Sequence, residues 1–217
     1  MNPSSVPAAL FLADGSRFDG FGLGTESTAL GEAVFYTGMT GYEEALTDPS
    51  YAGQILTFTY PMIGNYGISG VVAQYRRACV AGTVIKQIAQ RPSHHLSRQT
   101  LGSWLDGQHV PALIGADTRA ITIALREHGT IWAALAVGEA ALHDAENRLA
   151  DFVRHADTKA LVPSVTTAER FVAGSQGSYR VVLIDCGVKR AILERLEALG
   201  AQVTVLPYDA TANDVLD

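Results

Sequence analysis

The sequence predicts an α/β chain in two parts, a β-rich mixed α/β N-terminal domain followed by a βαβ unit. Three observations predict it. From Ala8 to about Val72, short apolar stretches are punctuated by glycine. In QILTFTYP, Leu56, Phe58 and Tyr60 alternate with Thr57 and Thr59, the period of a strand. Near the C-terminal end, the continuous apolar run Val181, Val182, Leu183, Ile184 leads into a helix-periodic segment and a second apolar run.

Taken in order, AALFLADGSRFDGFGLG pairs two strands across Asp14-Gly15, a hairpin dipeptide because both residues tolerate positive φ. QILTFTYP should bury one face, and Pro61 ends it. ALIGADTRAITIALREHGTIWAALAVG reads as a strand, Asp117 as N-cap, a helix to His128, Gly129 as its stop, and a strand from about Thr130. A helix over about 140–152 follows, and Thr166 with Glu169 has capping-box spacing. The small and polar VAGSQGSY places the domain boundary within 156–178. Beyond it, Val181 to Ile184 should form a parallel strand buried on both faces. Ile192, Leu196 and Leu199 share one helix face, Gly200 stops the helix, and Val203, Val205 and Leu206 form the second strand before Pro207. Such a unit needs further parallel neighbours. With Asp217 the last residue, an uncovered strand edge and apolar helix faces are expected, and with them poor solubility or local disorder after about residue 178.

Composition narrows the function classes. In 217 residues, 47% are hydrophobic and 18% charged, and 16 Lys and Arg stand against 22 Asp and Glu. The net charge of -6 and the scattered basic residues point away from nucleic acid and from a membrane surface, toward small molecules or protein. MNPSSVP has neither a basic start nor an apolar signal core, and no stretch approaches the ~18 apolar residues of a membrane span, so the chain reads as cytoplasmic. Cys79 and Cys186 are expected to be reduced thiols without zinc spacing, and His94-His95 to sit in a solvated loop, so no metal site is expected.

Cys186 lies between a strand and a helix, where a thiol can be activated by the helix N-terminus. A nucleophile elbow, however, needs small residues on both sides of the turn, and here Ile184 and Val188 occupy those positions. The residues favour a buried small hydrophobe over a nucleophile. Asp48-Pro49 initiates a turn that exposes the Ser50 hydroxyl, which alone is a turn serine.

The stretch GEAVFYTGMTGYEEALTDPSYAGQILTFTYPMIGNYG, residues 31–67, resembles the N-terminal domain of the small subunits of glutamine-dependent carbamoyl phosphate synthetases. LFLADGSRFDGFGLG, GADTRAITIALREHG, LVPSVTTAERF and DCGVKRAILERLEALGAQVTVLP agree with that family in the same order, so the resemblance covers the chain after its first seven residues. Tyr36 stands where the family usually has asparagine, and Ala116 where it usually has isoleucine.

The resemblance implies a small-subunit N-terminal domain over 1–155, a linker over 156–178, and over 179–217 the first βαβ unit of a flavodoxin-like class I glutamine amidotransferase domain. It implies a glutamine-hydrolysing subunit that supplies ammonia to a large synthetase subunit, which makes carbamoyl phosphate from bicarbonate for arginine and pyrimidine synthesis. No cofactor is expected in this subunit, ATP and Mg²⁺ being used by the large one. Ser50 matches the serine that helps hold L-glutamine. In the family pattern D-x-G-x-K, Asp185, Gly187 and Lys189 are the matching positions and Cys186 a variable one. The family's NGPGDP-type loop, G-x-C-x-G-H-Q elbow and later histidine and glutamate do not occur in residues 1–217. The chain as written is therefore expected to be catalytically inactive alone and truncated. The alternative is a non-catalytic docking module for the large subunit. A nucleotide-binding reading of the βαβ unit carries little weight, because DCGVKR lacks G-x-G-x-x-G.

Overall fold

The first strand of the chain is hydrogen-bonded to the last strand of its first unit, and that pairing closes a barrel. The protein is described from a computed structural model covering residues 6–156, 161–174 and 177–216. Its first unit contains β1 (Pro7–Leu12), β2 (Arg17–Leu23), β3 (Thr28–Tyr36), β4 (Gln54–Phe58), β5 (Met62–Ile63), β6 (Gly82–Ile85), β7 (Gln87–Ile88), β8 (Ala112–Ile114) and β9 (Ile131–Val137). The barrel order is β1-β2-β8-β6-β4-β3-β9, while β5 and β7 form a small parallel pair beside it. Strands β3, β4, β6 and β8 run parallel, and the other pairings are antiparallel.

Strand alternation builds two surfaces. Ala8, Leu10 and Leu12 of β1 share a core with Ala133, Leu135 and Val137 of β9 and with Ile55, Val84 and Leu113, which assigns them to the barrel interior. The intervening Ala9, Phe11, Ala134 and Ala136 pack outward against Ala145 and Leu149 of a later helix, Glu139–His155. The alanines of β9 let that helix lie close. Ile121 and Leu125 of the helix Thr118–His128 join the interior core. Leu56, Phe58, Ile85 and Ile114 are covered by residues from the helices Tyr42–Thr47 and Leu101–Gly107. In chain order these four helices are α1 (Tyr42–Thr47), α2 (Leu101–Gly107), α3 (Thr118–His128) and α4 (Glu139–His155).

Helix α1 starts at Gly41, in the left-handed region at φ 85°, without a side-chain cap. Its first amides find another acceptor: Gly41 N and Tyr42 N donate to the Tyr66 hydroxyl at 2.7 and 3.1 Å. The Tyr42 and Tyr66 rings stack with centroids 4.1 Å apart, and burial raises both phenol pKa values. Asp117 caps α3 by accepting from Ala120 N at 3.0 Å, and Gly129 ends it, as its sequence predicts.

The remaining elements are α5 (Val162–Val165), β10 (Phe171–Ala173), β11 (Tyr179–Asp185), α6 (Arg190–Ala198), β12 (Ala201–Pro207) and α7 (Ala212–Leu216). Strands β11 and β12 are parallel, joined through α6, and β10 pairs antiparallel on the other side of β12. The expected linker 156–178 thus contributes a helical turn and a strand, while its residues 157–160 and 175–176 lie outside the described residues.

The Asp14-Gly15 hairpin forms as expected, with Gly15 N closing the turn onto Leu12 O and Gly15 alone taking positive φ. Several expectations need correction. Strand β4 is buried on both faces, since a barrel strand has an interior on one side and helix α1 on the other, and it ends at Phe58. Thr166 opens no helix as a capping box would: it is the C-cap of α5, and its hydroxyl accepts from Tyr208 N. Strand β11 buries one face only, with Val182 and Ile184 exposed, because no layer covers its other side among the described residues. Helix α6 turns Leu193 and Leu196 to the sheet and leaves Ile192 and Leu199 exposed. Cys186 is exposed, not buried. Beyond residue 178 the described residues form a strand, a helix and a strand, and the expected uncovered apolar surface is present.

Candidate functional site at the junction of the two units

Ser50 is presented by a tight turn that Asp48 builds. Asp48 Oδ1 accepts from Ser50 N at 2.9 Å, Pro49 pre-sets the backbone of the short 3-10 turn Pro49–Tyr51, and Tyr51 N donates to Asp48 O at 3.0 Å. The Ser50 side chain is exposed and its hydroxyl has no hydrogen-bonding partner among the described residues. The turn's polar groups are therefore spent on its own shape, and the hydroxyl is left available.

The IDCGVK loop between β11 and α6 is shaped by another aspartate. Asp185, 3% exposed, accepts from Gly187 N at 2.9 Å and Val188 N at 2.7 Å through Oδ1, and from Thr167 N at 2.7 Å through Oδ2. One carboxylate thus closes the turn and ties it to the segment after α5. Gly187 takes φ 103°, a conformation glycine adopts without penalty. Its α-carbon faces Pro49: a β-carbon added there would lie 3.0 Å from Pro49 Cβ and 3.0 Å from Val165 Cγ2.

The two turns meet through charge. Lys189 Nζ lies 2.6 Å from Asp48 Oδ2, with side chains 39% and 11% exposed. A pair this open to water contributes roughly 1 kcal/mol, so its effect is mainly geometric. Burial, then the Asp48 charge, raises the pKa of the neighbouring Tyr51 phenol, with Lys189 opposing. A second set of bonds runs alongside. Gln74 N donates to Thr47 Oγ1 at 2.8 Å, and the Gln74 carbonyl and side-chain oxygens accept from Arg190 N and Ala191 N at 3.0 and 3.2 Å. The Arg190 guanidinium donates to Val71 O, while its Nε meets Glu194 Oε1 at 3.1 Å as a contact of charges without hydrogen-bond alignment. Arg77 reaches Ser164 O at 2.7 Å. A cleft of about 550 Å³ opens along this junction, lined by Glu43, Thr47, Gln74, Asp185, Arg190 and Leu193 among others. Glu43 is occupied in holding Ser69 and Gly70.

The structure thus brings together Ser50, Asp185, Gly187 and Lys189, which the sequence separates by more than a hundred residues. Cys186 stands in the same loop without a partner among the described residues. Sequence reasoning missed Asp48 as the partner of Lys189, and Thr47 and Gln74 altogether. Asp48 carried a local signal, the spacing D-x-S of an Asx turn; Gln74 carried none, because its partners lie at residues 190–191. Cys79 is free, half-buried beside Thr47 O, and burial pushes its thiol up to about 11. Among the described residues no group of three or more His, Cys, Asp or Glu could hold a metal ion, and His94 and His95 are exposed. No helix among them is long and apolar enough to cross a membrane.

Comparison with known proteins bears on this geometry. Residues 10–135 match the family model described as carbamoyl-phosphate synthase small chain, CPSase domain. The carbamoyl phosphate synthase small chain of Methanosarcina mazei is 42% identical over 218 residues, 97% of this chain and 59% of its own length. Those of Symbiobacterium thermophilum and Methanopyrus kandleri are each 42% identical, over 94% and 97% of this chain. The chain spans 57% and 59% of the lengths of these last two relatives. An aminopeptidase from Aneurinibacillus sp. strain AM-1 superposes with a TM-score of 0.36 at 16% identity, over 64% of this chain and 31% of its own, too slight a likeness to bear on fold or function.

Proposed function

The chain belongs to the carbamoyl-phosphate synthase small chain family, and on that premise we propose that it is the ammonia-supplying subunit of a glutamine-dependent carbamoyl phosphate synthetase. In this reading residues 1–155 are the small-subunit N-terminal domain, 156–178 the connecting region, and 179–217 the opening of a flavodoxin-like class I glutamine amidotransferase domain. The parallel β11-α6-β12 unit supports the last assignment. The barrel unit packs against the large subunit, which uses ATP, Mg²⁺ and bicarbonate.

The observation that carries the reading is the exposed Ser50 hydroxyl, without a partner among the described residues, on a turn held against the D-x-G-x-K loop by the Asp48–Lys189 contact. A polar substrate bound at a domain junction needs such a group, one that spends none of its hydrogen-bonding capacity on the fold. Ser50 holds L-glutamine from the side of the first domain. A cysteine thiolate of the amidotransferase domain attacks the amide carbon, the C–N bond breaks with release of ammonia, and water cleaves the thioester to glutamate. Residues 1–217 contain no G-x-C-x-G, so they supply the substrate-holding side of this chemistry and not its nucleophile.

The test is Ser50→Ala in the full-length protein joined to its large subunit. Losing one hydrogen bond, about 1 kcal/mol, should raise the glutamine KM about five-fold, with a smaller effect on ammonia-driven synthesis. Unchanged glutamine kinetics would sink the assignment of Ser50. Co-elution of the 217-residue chain with the large subunit tests the proposed partner.

A further inference from the structure

We propose that Gln74 is a positioning residue for the Ser50 turn: from the first unit it caps helix α6 of the second, and so fixes how the IDCGVK loop meets Asp48. The inference rests on the reading above, that Ser50 touches glutamine.

A helix begins with amides that its own turns cannot satisfy. At α6 the N-cap residue, Lys189, makes no side-chain cap, since an ammonium has no lone pair to accept from a backbone amide; it reaches Asp48 instead. Gln74 does the capping from across the junction, with its main-chain oxygen on Arg190 N and its side-chain Oε1 on Ala191 N. The side-chain amide is itself steered, because Nε2 donates to Val72 O at 2.9 Å and turns Oε1 toward the helix. On the first unit, Gln74 N is anchored to the hydroxyl of Thr47, the residue preceding Asp48. The contacts form a ring that crosses the junction twice: Asp48 to Lys189, then along the helix start to Arg190 and Ala191, back to Gln74, and through Thr47 to Asp48. A lone ion pair allows two bodies to pivot about it. The crossing at Gln74, beside the Arg190–Val71 O bond and the approach of Gly187 to Pro49, restricts that freedom and helps to set the distance between Ser50 and whatever the second unit holds.

The experiment uses the full-length protein with its large subunit. Gln74→Met keeps the length of the side chain and removes the acceptor. It should raise the glutamine KM about five-fold, the effect of one lost cap, with less change in kcat, and speed amide exchange at Ala191. Gln74→Glu keeps an acceptor for Ala191 N but loses the Nε2 donor to Val72 O that steers it, so both readouts should fall between those of Gln74→Met and the wild type. If Gln74→Met leaves KM at the wild-type value while Ser50→Ala raises it, the proposal falls and the reading of Ser50 stands. If neither variant moves KM, the reading of Ser50 falls and takes the proposal with it. Unaltered exchange at Ala191 in Gln74→Met overturns the capping role whatever the kinetics.

Discussion

Gly187 is a point where the junction closes on the backbone itself. At φ 103°, with Pro49 and Val165 each 3.0 Å from where a β-carbon would lie, Gly187→Ala must both adopt a disfavoured backbone and push two packed side chains aside. The backbone alone costs about 1–2 kcal/mol. We expect the variant to lower the urea midpoint and to speed exchange in the Ser50 turn; a midpoint equal to wild type would show that the contact gives way freely. The three matching residues of D-x-G-x-K have separable duties: Asp185 shapes the loop, Gly187 admits Pro49, and Lys189 reaches Asp48. Ser50 and its turn were legible in the sequence because an Asx turn is local. Cys186 was misread as buried because its burial depends on a layer the local pattern does not specify, and Gln74 was invisible because a glutamine in a loop has no periodicity to betray a distant helix end.

At the scale of elements, among the described residues strand β12 alone in its sheet has a neighbour on each side, and its Val203 and Val205 are fully buried. Strand β11 stands at an edge with Val182 42% and Ile184 46% exposed. The same residue type should therefore give opposite results in adjacent strands. Val205→Ala should cost about 2 kcal/mol through lost burial and the space left behind, whereas Val182→Thr should stay within about 0.5 kcal/mol. Urea unfolding of the two variants checks this, and equal costs would mean that β11 is covered after all. Periodicity named both strands, α3 with its cap and stop, and α4, because those signals lie within ten or twenty residues. It could not say which faces find a partner. That is why β4 turned out buried on both sides inside a closed barrel, and β11, for all its continuous apolar run, on one side only.

For the molecule as a whole, stability should fall in alkali. Burial raises the pKa of Cys79 from 9.0 to about 11, and burial likewise raises Tyr36, Tyr42, Tyr51 and Tyr66 above 10.0. Each folded group holds its proton where the unfolded chain releases it. Stability from these groups is therefore complete below about pH 9, and is lost as pH rises, first through the Cys79 window and then above pH 10 as the tyrosines follow. The urea midpoint should be lower at pH 10.5 than at pH 8; equal midpoints would contradict the burial of these groups. The change of texture along the chain was readable in the sequence, but the barrel was not, since its closure joins β1 to β9 across the length of the first unit. That closure also sets an order of events on the ribosome. The β1–β2 hairpin can form as soon as it emerges, but one of its edges stays bare until Val137 has been made. The barrel then closes late and in one step, so a nascent chain stalled before β9 is the form most exposed to strand-on-strand aggregation and most in need of a chaperone.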